Sequence, residues 1–526
     1  MKFVLKTPLP RLANEMCDVL RLFYPVTGFA VEATAPQPAQ DEAKAQFTAT
    51  PVTEGMEPLT HVFTENDGVW RCRFTMLGHS AERTAPAVAA DEATQITPDA
   101  QTVPDAQAAP DAPSQLSATE LLRRRLMKRL CKLTLYELCK QLTGKQPPWG
   151  SLTGIRPTRL LYENMARGLS PAAAAQALTD VFDVTPEKAE LLRRIVTVQQ
   201  TLPAPSAGEA DVYLSIPFCR TRCAYCSFPG EALGKGRQVE PYLTALFAEM
   251  DATVELMRAR GLTLRALYIG GGTPTALPEA AFEALLTHAA QCFPDPFEFT
   301  VEAGRPDTIT RGKLAAMLAH RVGRISVNPQ TMNDETLKRV GRSHTAEEIV
   351  RVYELAREIG FDSINMDLIA GLPGETAADM QRSCDALLQL APDNLTVHSL
   401  AIKRSSTLKK ELDDHALASS AQAEEMTQIG AQCAANMGMN PYYMYRQKYM
   451  SGNLENVGYA LPGKECVYNI DMMEETASIL SHGAGTMTKR VFAGQNRIER
   501  LPSPKDVPTY LAKLDRLITQ KEQFFG

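Results

Sequence analysis

From Asp211 to Leu400 the chain alternates short apolar runs with longer spacers, and this rhythm constrains its fold more than any other feature. The runs are DVYLSI, RALYIG, FEFTVE, GRISVN, SINMDLI and NLTVHSL. Each is rich in Val, Ile, Leu, Phe or Tyr, as expected of strands buried on both faces. The spacers, residues 242–260 and 346–359 among them, are long enough for a crossover helix. Strand and helix alternating six times predicts an α/β fold whose parallel sheet curls into an open or partial (β/α) barrel.

The ends of those runs carry polar and glycine-rich residues. Cys219, Cys223 and Cys226 follow the first, and Gly270-Gly271-Gly272-Thr273-Pro274 follows the second. Glu302 closes the third, Asn328 and Gln330 follow the fourth, Asp367 lies late in the fifth, and Ala401, Lys403 and Arg404 follow the sixth. Barrel folds assemble their active sites from the loops at this edge, so one site built from six strand ends is the simplest account.

The three cysteines stand as C-x3-C-x2-C directly after a strand. Three thiolates so placed can hold three irons of a cubane cluster and leave the fourth open to an outside ligand. The competing reading is a structural zinc knuckle, but such sites take four protein ligands, and the next cysteine, Cys292, lies far downstream. Ferredoxin-type electron carriage also needs a fourth cysteine. Eleven cysteines in 526 residues do not make a small disulfide framework, and a reducing compartment would keep the cluster thiols available.

A net charge of -6 argues against a general nucleic-acid binder. The basic run Arg123, Arg124, Arg125, Lys128 and Arg129 interleaves with Leu122, Leu126, Leu130 and Leu133, which reads as the solvated face of a helix. With no apolar run long enough to span a bilayer and no signal-peptide pattern, the expected location is cytoplasmic.

Five regions are expected in order: a β-rich accessory domain (1–80), a low-complexity linker (81–118), a helical accessory region (119–205), the partial barrel (206–410) and a C-terminal substrate-side domain (411–526). THVFTEN and VWRCRF flank Asp67-Gly68 as a hairpin. The stretch from Ala81 to Ser117 is dominated by Ala, Pro, Asp, Gln and Thr, too poor in large apolar residues to offset its chain entropy. Helices are expected from Leu121 to about Leu202, broken near residues 146–150 and 153–157.

The cysteine array, with Tyr225 before its third member, resembles the signature of the radical S-adenosylmethionine (SAM) superfamily. The ordered motifs TVEAGRPDTIT, RISVNPQTMND, GRSHT, NMDLIAGLPGET and HSLAIKRSSTL resemble its oxygen-independent coproporphyrinogen III oxidase family over about residues 211–490. PWGSLTGIRPTRL and PYYMYRQKYMSGNLENVGYA are similar to the HemZ-type branch, coproporphyrinogen dehydrogenase.

The resemblance implies a partial (β/α)6 radical SAM barrel holding a [4Fe-4S] cluster on Cys219, Cys223 and Cys226. It implies SAM contacts at Tyr213, Tyr225, Gly271, Gly272, Thr273, Glu302, Gln330, Arg342, Asp367 and Ala401. It also implies conversion of two propionates of coproporphyrinogen III to vinyls in haem biosynthesis, with a flavodoxin or ferredoxin as low-potential electron donor. No acid-base catalytic residue is assigned.

A tetrapyrrole bearing propionates calls for cations and flat apolar walls. Tyr442, Tyr443, Tyr445 and Tyr449 with Arg446 and Lys448 offer them, as do Arg220 and Arg222, while a plain core strand explains the tyrosine segment equally well. Cys226-Ser227-Phe228 resembles the haem-trafficking relatives at this point, which leaves as alternatives a haem chaperone using His398 or His482, or another radical SAM reaction on a tetrapyrrole.

Overall fold

The computed structural model describes residues 1–34, 56–87, 118–154, 156–228, 230–402, 406, 408, 417–447, 453–492 and 497–526. They form two compact units, residues 1–154 with 173–190, and residues 155–172 with 191–526.

The first unit holds a five-stranded sheet of order β2-β1-β3-β4-β5, with β1 Lys2–Thr7, β2 Gly28–Ala33, β3 Glu57–Asn66, β4 Val69–Met76 and β5 His79–Pro86. The hairpin expected at Asp67-Gly68 joins β3 to β4, and both turn residues have positive φ, which lets a two-residue turn follow the strand twist. Along β4 exposed and buried residues alternate. Its inward Trp70, Cys72, Phe74 and Met76 share a core with Leu130, Cys131, Leu135 and Leu138 of the helix Ala118–Thr143. The basic run lies on that helix, where Arg123 pairs with Glu65 and Lys128 with Glu15, as a solvated face would.

Strand β5 corrects the expected start of the linker. Ala81–Pro86 pairs with β4 residue by residue, and Ala81 is buried beside Phe74 while Glu82 bonds Arg73 across the strands. Its inward face carries Ala81 and Ala85 with Arg83 between them, which reaches Glu137 of the helix, and this lack of large apolar residues gave the strand a linker-like composition. Residues 88–117, the rest of that stretch, lie outside the described residues.

The second unit is organised on an eleven-stranded sheet. Its centre is the six expected strands: β6 Glu209–Ile216, then, after the short pair β7 Phe218–Cys219 and β8 Glu231–Ala232, β9 Thr263–Gly271, β10 Glu298–Gly304, β11 Arg324–Val327, β12 Ile364–Ala370 and β13 Asn394–Ser399. Neighbours among the six are parallel and follow chain order. Helices Val239–Arg260, Glu279–Cys292, Arg311–Ala319, Ala346–Ile359 and Ala377–Leu390 make the crossovers of a partial (β/α) barrel. The boundaries of Ala346–Ile359 are chemical: a Thr345/Glu348 capping box opens it and Gly360, at φ 119°, ends it.

The C-terminal residues extend this same sheet at both ends. Beside β13 lie β15, Asn456–Ala460, and then β14, Asn440–Tyr445, both antiparallel to their neighbours. On the other side β16, Ser478–His482, runs parallel to β6 and leads to the antiparallel β17, Met487–Phe492, and β18, Arg497–Pro502. A buried ion pair ties the last helix to the barrel, with Lys521 Nζ 2.7 Å from Glu249 Oε1. Glu249 Oε2 accepts from Tyr510 OH at 2.6 Å and from Gly483 N at 2.8 Å.

His482, one of the two candidate haem ligands, is wholly buried, with Nδ1 3.2 Å from Tyr213 O and Nε2 2.8 Å from Thr253 Oγ1. Burial lowers its pKa to about 3. Both ring nitrogens are engaged inside the protein, so His482 is a structural residue. Among the described residues no helix is long and apolar enough to cross a membrane.

Candidate cofactor site at the mouth of the barrel

The cysteine loop leaves β6 and is fixed from three sides. β7 pairs with β8, and Leu233 N donates to Cys219 O at 2.8 Å. Gly272 N donates to Ile216 O and Thr273 N to Phe218 O, both at 2.8 Å, which lays the glycine loop against the strand end. Ala224 N donates to Val340 O at 3.0 Å, and Ala224 and Tyr225 pack on Val340, Ile369, Leu372, Leu400 and Leu408.

The three thiols are half-buried and unpaired, each a free cysteine. Burial raises the pKa of Cys219 and of Cys226, so in the metal-free protein these sulfurs are protonated. Thr273 Oγ1 lies 3.6 Å from Cys219 Sγ. A Cβ at Gly272 would stand 2.7 Å from Phe218 O and 2.9 Å from Cys219 Sγ, and one at Gly271, at φ 109°, would meet Ser215 Oγ at 2.8 Å. Only glycine fits this cradle.

Across the mouth stand the ends of the next strands. Glu302 on β10 accepts from Tyr268 OH at 2.7 Å, and no lysine or arginine pairs with it among the described residues. Burial lifts its carboxyl to about 7, with Asp367 adding to the rise. Asp367 on β12 accepts from Asn365 Nδ2 at 2.8 Å and faces His398 Nε2 at 3.6 Å. Burial opposes the Asp367 charge, but His398, Asn365 and Thr396 more than compensate and hold its pKa low. One acid wall thus carries two carboxyls of different character. Tyr213 stacks with Tyr268 and Tyr468 at centroid distances of 6.0 and 5.9 Å, closing the inner side.

Gln330 has φ 68°, and a backbone bridge holds it: Gln330 N donates to Asp367 O and Ile369 N to Gln330 O. Arg342 is buried beside the cysteine loop and donates through Nη1 to Asn328 O at 2.5 Å and Pro329 O at 3.3 Å. Arg342 Nε and Asn328 Oδ1 have no hydrogen-bond partner among the described residues. Ala401 is the second residue after β13, beyond Leu400, whereas Lys403 and Arg404 lie outside the described residues.

Sequence reasoning missed the brace under the loop. Arg305, almost fully buried, donates to Thr221 O at 3.1 Å and Thr221 Oγ1 at 2.7 Å, and grips both oxygens of Asp307. Ser343 and Arg220 bind the same aspartate. The signal was the Arg305-Pro306-Asp307 step inside TVEAGRPDTIT, where a proline turn returns two charges toward the loop. Tyr442 and Tyr443 are core residues, Tyr443 lying against Gly458. Tyr445 is half-buried near His398, and Lys448 and Tyr449 lie outside the described residues.

A partial (β/α) barrel with an open three-cysteine loop after its first strand is the build of radical SAM proteins, and the Radical SAM superfamily model matches residues 213–387. The oxygen-independent coproporphyrinogen-III oxidase-like protein HemZ of Bacillus subtilis is 39% identical over 390 residues, 73% of this chain and 78% of that protein. The chain belongs to this family of radical SAM proteins. Heme chaperone HemW of Bacillus subtilis is 35% identical over 196 residues, 37% of this chain and 51% of that protein. Among solved structures, coproporphyrinogen III oxidase HemN from Escherichia coli matches at 23% identity and a TM-score of 0.45, covering 63% of this chain and 73% of that one. The family's cofactors are a [4Fe-4S] cluster and SAM. The donor set fits them: three free thiols in a glycine cradle, beside a buried carboxyl that no lysine or arginine pairs with and an arginine whose Nε has no partner among the described residues.

Proposed function

We propose that this protein oxidatively decarboxylates coproporphyrinogen III to protoporphyrinogen IX without oxygen. The observation that supports this most is the open three-thiol loop facing Glu302 across the mouth, in a chain 39% identical to an oxidase-like relative over most of both lengths. In this reading Cys219, Cys223 and Cys226 hold the cluster. Tyr213, Tyr225, Gly271, Gly272, Thr273, Glu302, Gln330, Arg342, Asp367 and Ala401 hold SAM.

A [4Fe-4S] cluster held by Cys219, Cys223 and Cys226 would supply low-potential, one-electron reduction of SAM and so the radical chemistry that removes a hydrogen from an unactivated carbon. The protein's own residues position and exclude. Backbone groups at Gly271 and Gly272 approach the ligand where a side chain would obstruct it. Ionised Glu302 accepts from a cationic amine, and the Arg342 guanidinium complements a carboxylate. The stacked tyrosines and the apolar seat of Tyr225 keep water from the reacting carbon. Each propionate loses a β-hydrogen and carbon dioxide, and one further electron passes to an acceptor. A flavodoxin or ferredoxin supplies the reducing electrons.

The test is anaerobic: the reconstituted protein is given reductant, SAM and coproporphyrinogen III, and the products are read by mass. 5′-Deoxyadenosine together with singly and doubly decarboxylated porphyrinogen is expected. Neither product, with stoichiometric haem binding instead, would replace this reading with haem trafficking. Two observations favour that second reading: the HemW relatives, and Phe228, which follows Cys226-Ser227 and is 64% exposed.

A further inference from the structure

Outside the barrel, the first unit buries three soft donors at one point. His61 on β3, Cys72 on β4 and Cys131 on the helix Ala118–Thr143 bring Nε2 and two Sγ atoms within 4.8 Å of one another. His61 Nε2 lies 3.4 Å from Cys72 Sγ and 3.8 Å from Cys131 Sγ. All three residues are at most 1% exposed. Both cysteines are free.

The imidazole is fixed in place. Its ring lies flat on Phe74, with centroids 4.2 Å apart and 4° between planes, and Nδ1 is 2.8 Å from Thr7 Oγ1. Leu9 N donates to the same hydroxyl oxygen at 2.9 Å, which pins Thr7 in turn. With its proton on Nδ1, His61 presents the Nε2 lone pair to the two sulfurs. Metal-binding histidines are oriented in this way, by a partner on the other ring nitrogen.

The two sulfurs also hydrogen-bond each other, and Thr134 reaches Cys72, so without an ion these side chains are held together only by weak S–H bonds. A cation among them satisfies all three donors. Bonds of about 2.0–2.1 Å to nitrogen and 2.3 Å to sulfur put those atoms about 3.5–3.8 Å apart between tetrahedral and trigonal geometry. The 3.8 Å distance to Cys131 falls within that span, and the 3.4 Å distance to Cys72 lies 0.1 Å below it, a gap that a small side-chain shift closes. The donor chemistry selects the ion, because thiolates with imidazole prefer Cu⁺ or Zn²⁺ to hard cations.

We propose that His61, Cys72 and Cys131 form a second metal site, which binds one soft d10 ion, Cu⁺ or Zn²⁺, and staples strands β3 and β4 to the helix over them. Two thiols lose their protons on binding, and no redox step occurs. The site shares no residue with the barrel mouth.

The test uses the full chain carrying Cys219→Ala, Cys223→Ala and Cys226→Ala, so that the barrel loop contributes no thiolate. Loaded anaerobically with Zn²⁺ or with Cu⁺ and then desalted, it is expected to keep about one equivalent of ion in at least one arm, and below about a tenth after Cys72→Ser or Cys131→Ser. The two arms distinguish the ions. With Co²⁺ in place of Zn²⁺ the parent is expected to show thiolate-to-cobalt charge-transfer absorption that added Zn²⁺ removes, and this spectrum decides if a serine variant fails to fold. No retained ion and no such band, retention unchanged in the serine variants, or a Cys72–Cys131 disulfide in the anaerobically purified chain would each overturn the proposal.

Discussion

Glu302 makes a pH-dependent penalty in the metal-free protein measurable. Its carboxyl sits at about 7 against an ordinary 4.5, chiefly because burial strips water from the charge. At about 1.4 kcal/mol per pH unit, ionising it inside the fold costs about 3 kcal/mol. Between pH 4.5 and 7 the native state holds this proton while the unfolded state releases it, so stability falls as pH rises through that window. Below it there is no penalty, and above it the penalty is complete. Glu302→Gln keeps an acceptor for Tyr268 OH and removes the charge. In urea unfolding of the metal-free protein, the variant is expected to match the wild type near pH 4.5 and to exceed it by up to about 3 kcal/mol at pH 8. The same substitution is expected to weaken SAM binding about tenfold or more at pH 8, since a charge-assisted hydrogen bond is lost. A stability difference that does not change with pH, or a variant less stable at pH 8, would refute the reasoning.

Further outcomes follow from other contacts. Replacing Cys219, Cys223 and Cys226 together by Ala is expected to abolish reconstituted iron, whereas Cys292→Ala or Cys466→Ala leaves it, and iron analysis of each protein checks this. Gly272→Ala drives a methyl group against Phe218 O and Cys219 Sγ, so a loss of about 1–3 kcal/mol and reduced cluster occupancy are expected from a thermal melt and iron content. Glu249→Gln strands the Lys521 ammonium in the interior and should cost about 3–5 kcal/mol in urea unfolding. Pairing it with Lys521→Met should restore most of that loss.

The six central strands were legible because each is buried on both faces, which compresses apolar residues into short runs that no surface pattern mimics. The glycine cradle was legible for a related reason: close backbone approach removes the side chain and leaves a visible mark. β5 was hidden because its inward face carries only Ala81 and Ala85 on either side of Arg83, with no large apolar residue to mark it. β16 was hidden because SILSH is short, and its partner residues in β6 stand about 270 residues earlier, a distance no local pattern spans. At the mouth, the strand-end residues were legible one at a time, whereas the Arg305–Asp307 brace was not. Its role lies in side-chain hydrogen bonds that cross from one loop to another. His61, Cys72 and Cys131 escaped notice likewise, since two strands and a helix must pack before their donors meet.

The parallel pairing of β16 with β6 sets an order of events on the ribosome. The strand that launches the cysteine loop is made early, and β9 soon covers one of its edges, but the other edge waits for Ser478–His482. At ordinary translation speeds of about 5–20 residues per second, that edge stays unpaired for roughly a quarter of a minute to a minute. An open edge of this kind invites pairing with other chains. Cells making this protein therefore gain from slow initiation or chaperone cover, and truncation before residue 478 should yield aggregates rather than a smaller working barrel.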